Sequence, residues 1–289
     1  MPTIPIDYKQ FFRDRTIIIT GVGRSGTTIL GKLLGSCENC AYLFEPAIMK
    51  YGIDDNPAFL GTLFEDYFLP MLQGRSLNYN SFDDSWIRHY WTGEQIVEAM
   101  KRRTRKDAVQ YAKDSGVRFV IKTNELALPC SELNEIFPGV KVVHIVRHGN
   151  DVILSTLKKG WYTDEYMRGS CIDVTFGDGM PWFVGNSCDG AHHHWKDYNQ
   201  ATRIACVWRS LVARDFSLRF KYEDLVYCPE FIVDWIIKEL GLTQTMLTIK
   251  HIADIKQRGR KQYESILDQI QQPERTLYCK TLESLGYKP

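Results

Sequence analysis

A chain of 289 residues with 44% hydrophobic residues can bury a large core, and it fits one generous domain better than two small ones. A net charge of +1 exerts no global pull toward nucleic acid or a membrane surface, so charge matters only where it clusters. The N-terminal residues lack both a basic start and an apolar run long enough for a secretory signal, and no window approaches a membrane span, so a cytoplasmic protein is expected.

In chain order, the β-branched run at residues 17–19 predicts a buried parallel strand. Helix-spaced apolar residues at 27–34, ending at Gly35, predict strand, glycine loop, helix. A second strand is expected at 41–44, a third at 119–121 with a helix starting near Pro129 and Ser131, and a fourth at 142–146 followed by a helix over about 150–159. Residues 160–199 show little periodicity, as a binding loop or lid would. A helix at 207–214, a strand at 217–221 and an amphipathic helix at 231–240 closed by Gly241 complete the series. Alternating strands and helices predict an α/β fold: three layers, α/β/α, around a central, mostly parallel sheet whose ligands bind at the carboxyl ends of the strands. A single domain spans 1–289 in this reading, with insertions at about 51–95 and 160–199.

The eight cysteines are scattered, which favours reduced thiols over bridges. Cys37-x-x-Cys40 has no second pair to complete a zinc site, so two thiols in a turn are expected. The adjacent histidines 192 to 194 point in different directions and suit a solvated loop better than a metal.

The chemistry concentrates in the loop GVGRSGTT, residues 21–28, where two phosphate-loop patterns overlap. The Walker A reading requires Lys after the last glycine, to reach the β and γ phosphates, and Thr27 stands there. The dinucleotide reading has its three glycines and an acid, Glu45, at the end of the second strand, and it remains a rival. Against it, Arg24-Ser25 and Thr27-Thr28 fill the loop with a cation and hydroxyl donors suited to a more exposed anion. The fourth strand also ends in Arg147, and Ser155 lies about two turns along the next helix, so both can face a second phosphate. Taken alone, Arg147 would be expected to pair with Asp151; together with the glycine loop it suggests a nucleotide with a charged 5′ end and a separate 3′-phosphate.

GVGRSGTT resembles the 5′-phosphosulfate loop of the sulfotransferase family, and IVRHGNDVILS resembles its 3′-phosphate motif, an Arg followed eight residues later by a Ser. The resemblance implies 3′-phosphoadenosine 5′-phosphosulfate (PAPS) as sulfuryl donor, with the product 3′,5′-bisphosphate (PAP) held by Gly23, Arg24, Ser25, Gly26, Thr27, Thr28, Arg147 and Ser155. Two weaker blocks accompany it. In VIKTN, Lys122-Thr123 resembles the pair that cytosolic sulfotransferases place beside the transferring group, with Asn124 where their histidine base follows. In FKYEDLV, Tyr222 resembles the tyrosine that contacts adenine, while Ile29 replaces the Trp that often follows the double threonine. Arg258, in Arg258-Gly259-Arg260, could close over the 3′-phosphate or belong to a solvated charge run.

Glu45 in YLFEP is similar in position to the general-base carboxylate of carbohydrate and tyrosyl-protein sulfotransferases; the alternative is an ion pair with a basic neighbour such as Arg24. Glu125 and the histidines are reserve candidates. The implied chemistry has Glu45 deprotonate the acceptor while Arg24 and Lys122 stabilise developing charge, with no metal required. Residues 51–95 and 160–199 are dense in acids and aromatics, which suits a small, neutral or cationic acceptor, unless the aromatics are core. A saccharide acceptor is the alternative; no nucleic-acid partner is expected, and no interface signature indicates the oligomeric state.

Overall fold

The isoleucines at 17, 18 and 19 are fully buried, because strand β1 (Thr16–Thr20) is covered on both faces. Ile18 packs on one side of the sheet with Phe119 and Ile121, and Ile17 and Ile19 pack on the other with Val120, Val143 and Ile145. Burial on two faces is why these strands read as continuous apolar runs rather than alternating ones. The structure, a computed structural model, describes residues 6–46, 48–51, 57–75, 93–124, 126, 130–169, 175–176, 180–181, 191–214, 216–256 and 265–289.

The main sheet adds β2 (Cys40–Phe44), β3 (Arg118–Lys122), β4 (Lys141–Val146) and β5 (Leu218–Lys221). All four pairings are parallel and the strand order is β2-β3-β1-β4-β5. Helices Thr27–Gly35, Tyr222–Tyr227, Pro229–Leu240 and Met246–Lys256 cover one face, and Tyr8–Phe12, a helical run over 57–72 and Arg105–Asp114 contribute to the cover of the other. The predicted three-layer α/β architecture is observed. A third apolar cluster centres on Trp208 and joins the helices Gly149–Leu157, Gln200–Val212 and Glu274–Ser284 beside β4.

Two expectations change. The helix placed at 207–214 starts at Gln200, where the side chain of Asn199 accepts from the Thr202 amide and caps it. Arg203 hides that first turn in the sequence; it is buried because carbonyls of Tyr162 and Trp195 and the Asp164 carboxylate satisfy its guanidinium. Second, Phe59, Phe64, Tyr67 and Phe68 are core residues packed beneath β3, so they cannot line an acceptor cleft. A π-helical stretch, Leu63–Phe68, carries three of them into the core, where Phe64 and Phe68 pack against Phe12. The aromatic residues at 79, 82, 86, 90 and 91 lie outside the described residues. In the second insertion Tyr162, two residues before a short helix at Asp164–Gly169, and Trp195, in a 3-10 helix at Ala191–Asp197, are buried as well.

Candidate active site

Five parallel strands bring their carboxyl ends to one edge, and the sequence candidates within the described residues gather at that edge, in the segments that follow the strands, with Ser155 further along the helix after β4. β1 runs into the glycine loop, β2 into Glu45, β4 into Arg147 and β5 into Tyr222, while Lys122 is the last residue of β3. Lys122 is in register with Ile19 of β1 and with Phe44 of β2, which puts it between the loop strand and the Glu45 strand.

The loop is shaped by its backbone. Gly26 adopts φ +96° as the N-cap of the helix Thr27–Gly35, and a Cβ there would fall 2.5 Å from the ring of Tyr222. Glycine thus lets the Tyr222 ring lie against the loop. Ser25 is fully buried and its hydroxyl has no hydrogen-bond partner among the described residues, although its amide donates to the Val22 carbonyl at 3.1 Å. A buried hydroxyl left in that state at a helix N-terminus suits an anion as acceptor. Gly23 and Thr27 are buried, and Thr28 is exposed.

Arg24 joins this loop to the second anion motif. Its Nε donates to Ser155 Oγ at 3.0 Å, and its carbonyl accepts from Arg147 Nη1 at 3.0 Å. Arg147 also donates through Nε and Nη2 to Asp151 Oδ2, at 3.1 and 2.5 Å, and its guanidinium lies 4.7 Å from the Tyr222 ring centre. Arg147 thus pairs with Asp151, as expected of it alone, and also reaches the loop through the Arg24 carbonyl.

Glu45 takes its charge partner from β3. Its Oε1 accepts a short hydrogen bond from Lys122 Nζ and another from Asn124 Nδ2 at 2.7 Å, and its amide donates to the Lys122 carbonyl at 2.7 Å. Lys122 is 1% exposed and lies 4.3 Å over the Phe44 ring, whereas Glu45 is 23% exposed. The expected alternative partner, Arg24, is engaged elsewhere. Asn124 is the residue whose part the sequence left unread: its Oδ1 accepts from Thr27 Oγ1 at 2.8 Å, so one side chain bridges the loop and Glu45. Arg258, Glu125 and the side chains of His192 and His193 lie outside the described residues.

The strand order decides between the two loop readings. In a dinucleotide-binding fold the acid closing the second strand reaches the ribose from beside the first. Here β3 separates β2 from β1. Glu45 faces Lys122, and the dinucleotide reading fails on topology.

A model of the sulfotransferase family matches residues 16–246, which takes in all five strands and every candidate named above up to Tyr222. The chain belongs to the sulfotransferase family. Among solved structures this sulfotransferase is similar to the sulfotransferase domain from the Synechococcus PCC 7002 olefin synthase, at 14% identity over 95% of each chain with a TM-score of 0.49. It is also similar to the sulfotransferase domain from the curacin biosynthetic pathway, at 15% identity over 94% of this chain and 98% of that one, TM-score 0.49. Sulfotransferase STF1 from Mycobacterium tuberculosis H37Rv aligns at 16% identity over 86% and 73%, TM-score 0.41. No curated protein matches the chain.

One further sequence feature of the sulfotransferase, its cysteine pair, is explained by packing. Cys37 and Cys40 are buried thiols outside any disulfide; burial pushes Cys37 up to about 12 and holds Cys40 above its ordinary value, so neither is a reactive thiolate. Among the described residues no helix is long and apolar enough to cross a membrane, and no cluster of His, Cys, Asp or Glu could hold a metal.

Proposed function

We propose that this sulfotransferase moves the sulfuryl group of 3′-phosphoadenosine 5′-phosphosulfate to a hydroxyl or amine of a small, neutral or cationic acceptor. The observation that carries the donor assignment is the coupling of the two anion motifs, Arg24 to Ser155 and Arg147 to the Arg24 carbonyl, around the ring of Tyr222. A ligand with phosphates at both ends of an adenosine matches two such motifs flanking one aromatic face, and the partnerless hydroxyl of Ser25 fits the 5′ end. In this reading Gly23, Ser25, Gly26, Thr27 and Thr28 hold the phosphosulfate, Arg147 and Ser155 the 3′-phosphate, and Tyr222 the base. Arg258 would add a cation to the 3′-phosphate.

Glu45 is the proposed general base. It deprotonates the acceptor, whose oxygen or nitrogen attacks sulfur in line, while Lys122 and Arg24 offset charge on the sulfuryl oxygens and on the leaving phosphate. Asn124, bonded to Glu45 and to Thr27, sets the carboxylate's position relative to the loop. The acceptor class is supported by charge in the sequence: besides Glu65, which pairs with Arg105, residues 51–95 hold Asp54, Asp55, Asp66, Asp83, Asp84 and Glu94 against Arg75 and Arg88, the opposite of a track for polyanions.

The test is release of the 3′,5′-bisphosphate from PAPS in the presence of small alcohols, phenols, amines and, separately, sulfated polysaccharides. Release with the small acceptors is expected. Turnover confined to the polysaccharide overturns the acceptor class, and absence of both turnover and bisphosphate binding overturns the donor.

A further inference from the structure

Arg147 directly follows β4, and the helix Gly149–Leu157 begins two residues later, so a very short turn decides where its guanidinium points. The groups that hold this turn come from distant parts of the chain. Trp208 Nε1 donates to the Arg147 carbonyl at 2.9 Å, and the His148 amide donates to Glu223 Oε1 at 2.9 Å. The Asn150 amide donates to His148 Nδ1 at 3.2 Å, capping the helix, so the proton of the neutral imidazole sits on Nε2. That Nε2 donates to the Lys288 carbonyl at 3.0 Å.

The residue before Lys288 completes the circuit. Tyr287 donates its hydroxyl to Glu223 Oε2 at 2.7 Å, and its ring stands edge-on to His148 at 4.9 Å with the Lys221 ammonium 4.4 Å over it. Glu223 therefore divides its carboxylate, one oxygen on the backbone just after Arg147 and the other on Tyr287, and it directly follows Tyr222, over which Arg147 lies. Without the Tyr287 hydroxyl the carboxylate can rotate away, and the His148 amide loses a charge-assisted partner.

We infer that Tyr287, acting through Glu223, is a positioning residue for Arg147 in the donor site. The inference rests on the nucleotide reading above. Its consequence is selective: loss of the Tyr287 hydroxyl weakens recognition of the 3′-phosphate, which Arg147 serves, and leaves the 5′ end alone. A merely structural fastening would weaken both ends together.

The test is calorimetric titration of wild type, Tyr287→Phe and Glu223→Gln with adenosine 3′,5′-bisphosphate and with adenosine 5′-monophosphate, alongside the melting temperature of each ligand-free protein. Tyr287→Phe should lose about tenfold in bisphosphate affinity, a typical coupling between linked sites, with monophosphate affinity and melting temperature near those of wild type. Glu223→Gln, which keeps an acceptor for the His148 amide, should lose less. An equal loss for both ligands, or no loss for either, overturns the positioning role. A wild type that binds neither ligand overturns the nucleotide reading and this inference with it.

Discussion

Glu45 and Arg24 are non-glycine residues in the left-handed region, at φ +42° and +74°. Such a conformation costs about 1 kcal/mol or more at each residue and persists where the surroundings fix it. At Glu45 they do so through the amide bond to the Lys122 carbonyl and the two donors on Oε1; at Arg24 through its own Nε bond to Ser155 Oγ together with the bond from Arg147 to its carbonyl. Replacing Glu45 by Gln removes the proposed base while keeping an oxygen for Lys122. Turnover should fall by about 10²- to 10⁴-fold, with bisphosphate affinity within about twofold of wild type, measured by product release and calorimetry. Equal loss of both would make Glu45 structural. Asn124→Ala should lower kcat by about tenfold, since it frees the carboxylate from the loop; an unchanged kcat would separate Asn124 from the reaction. The place of Glu45 was legible because it closes a strand. The bridge made by Asn124 was not, because its partners lie 97 and 79 residues away in sequence.

The elements carry the next level of control. Gly26→Ala would place a methyl group against the Tyr222 ring at a backbone angle that L residues avoid, so the loop and the ring must part. Loss of most bisphosphate affinity, together with a lower melting temperature, is the expected result; retained affinity would show that the contact is incidental. The helix Gly149–Leu157 makes a complementary prediction. Arg147→Ala should weaken bisphosphate binding about 30-fold while changing 5′-monophosphate binding little, in keeping with loss of a charge-assisted contact to one phosphate. A matching loss for both nucleotides would return Arg147 to a purely structural pair with Asp151. Strands β1, β3 and β4 were legible because burial on two faces leaves a β-branched signature. The first half of the helix Gln200–Val212 was not, since a buried arginine reads as surface until its carbonyl partners are known.

At the scale of the whole molecule, the strand order turns a glycine pattern into a specific site, because β3 between β1 and β2 puts Lys122 beside Glu45. Sequence periodicity finds strands but carries no order, which is why the dinucleotide reading survived until the topology was known. The same sheet sets an acid limit on stability. His144, inside β4, is pushed down to about 3 by burial, with Arg219 and Arg214 adding to the effect. The unfolded chain takes up this proton from about pH 6.5 downward while the folded one refuses it, so stability is full above that pH and falls as the pH drops toward 3. His148, also lowered chiefly by burial, acts in the same direction. Denaturant titrations at pH 7 and pH 4.5 should show a smaller acid loss for His144→Leu than for wild type, and an equal loss would relocate the acid sensitivity to other groups.

The central claim, that two anion motifs at two strand ends grip one nucleotide, is tested most directly by titrating the wild-type protein with adenosine 3′,5′-bisphosphate, ADP and NAD in parallel. Binding of the bisphosphate at least about tenfold tighter than either control is predicted, as expected for one extra charge-assisted phosphate contact. Equal affinity for ADP, or preference for NAD, would contradict the account.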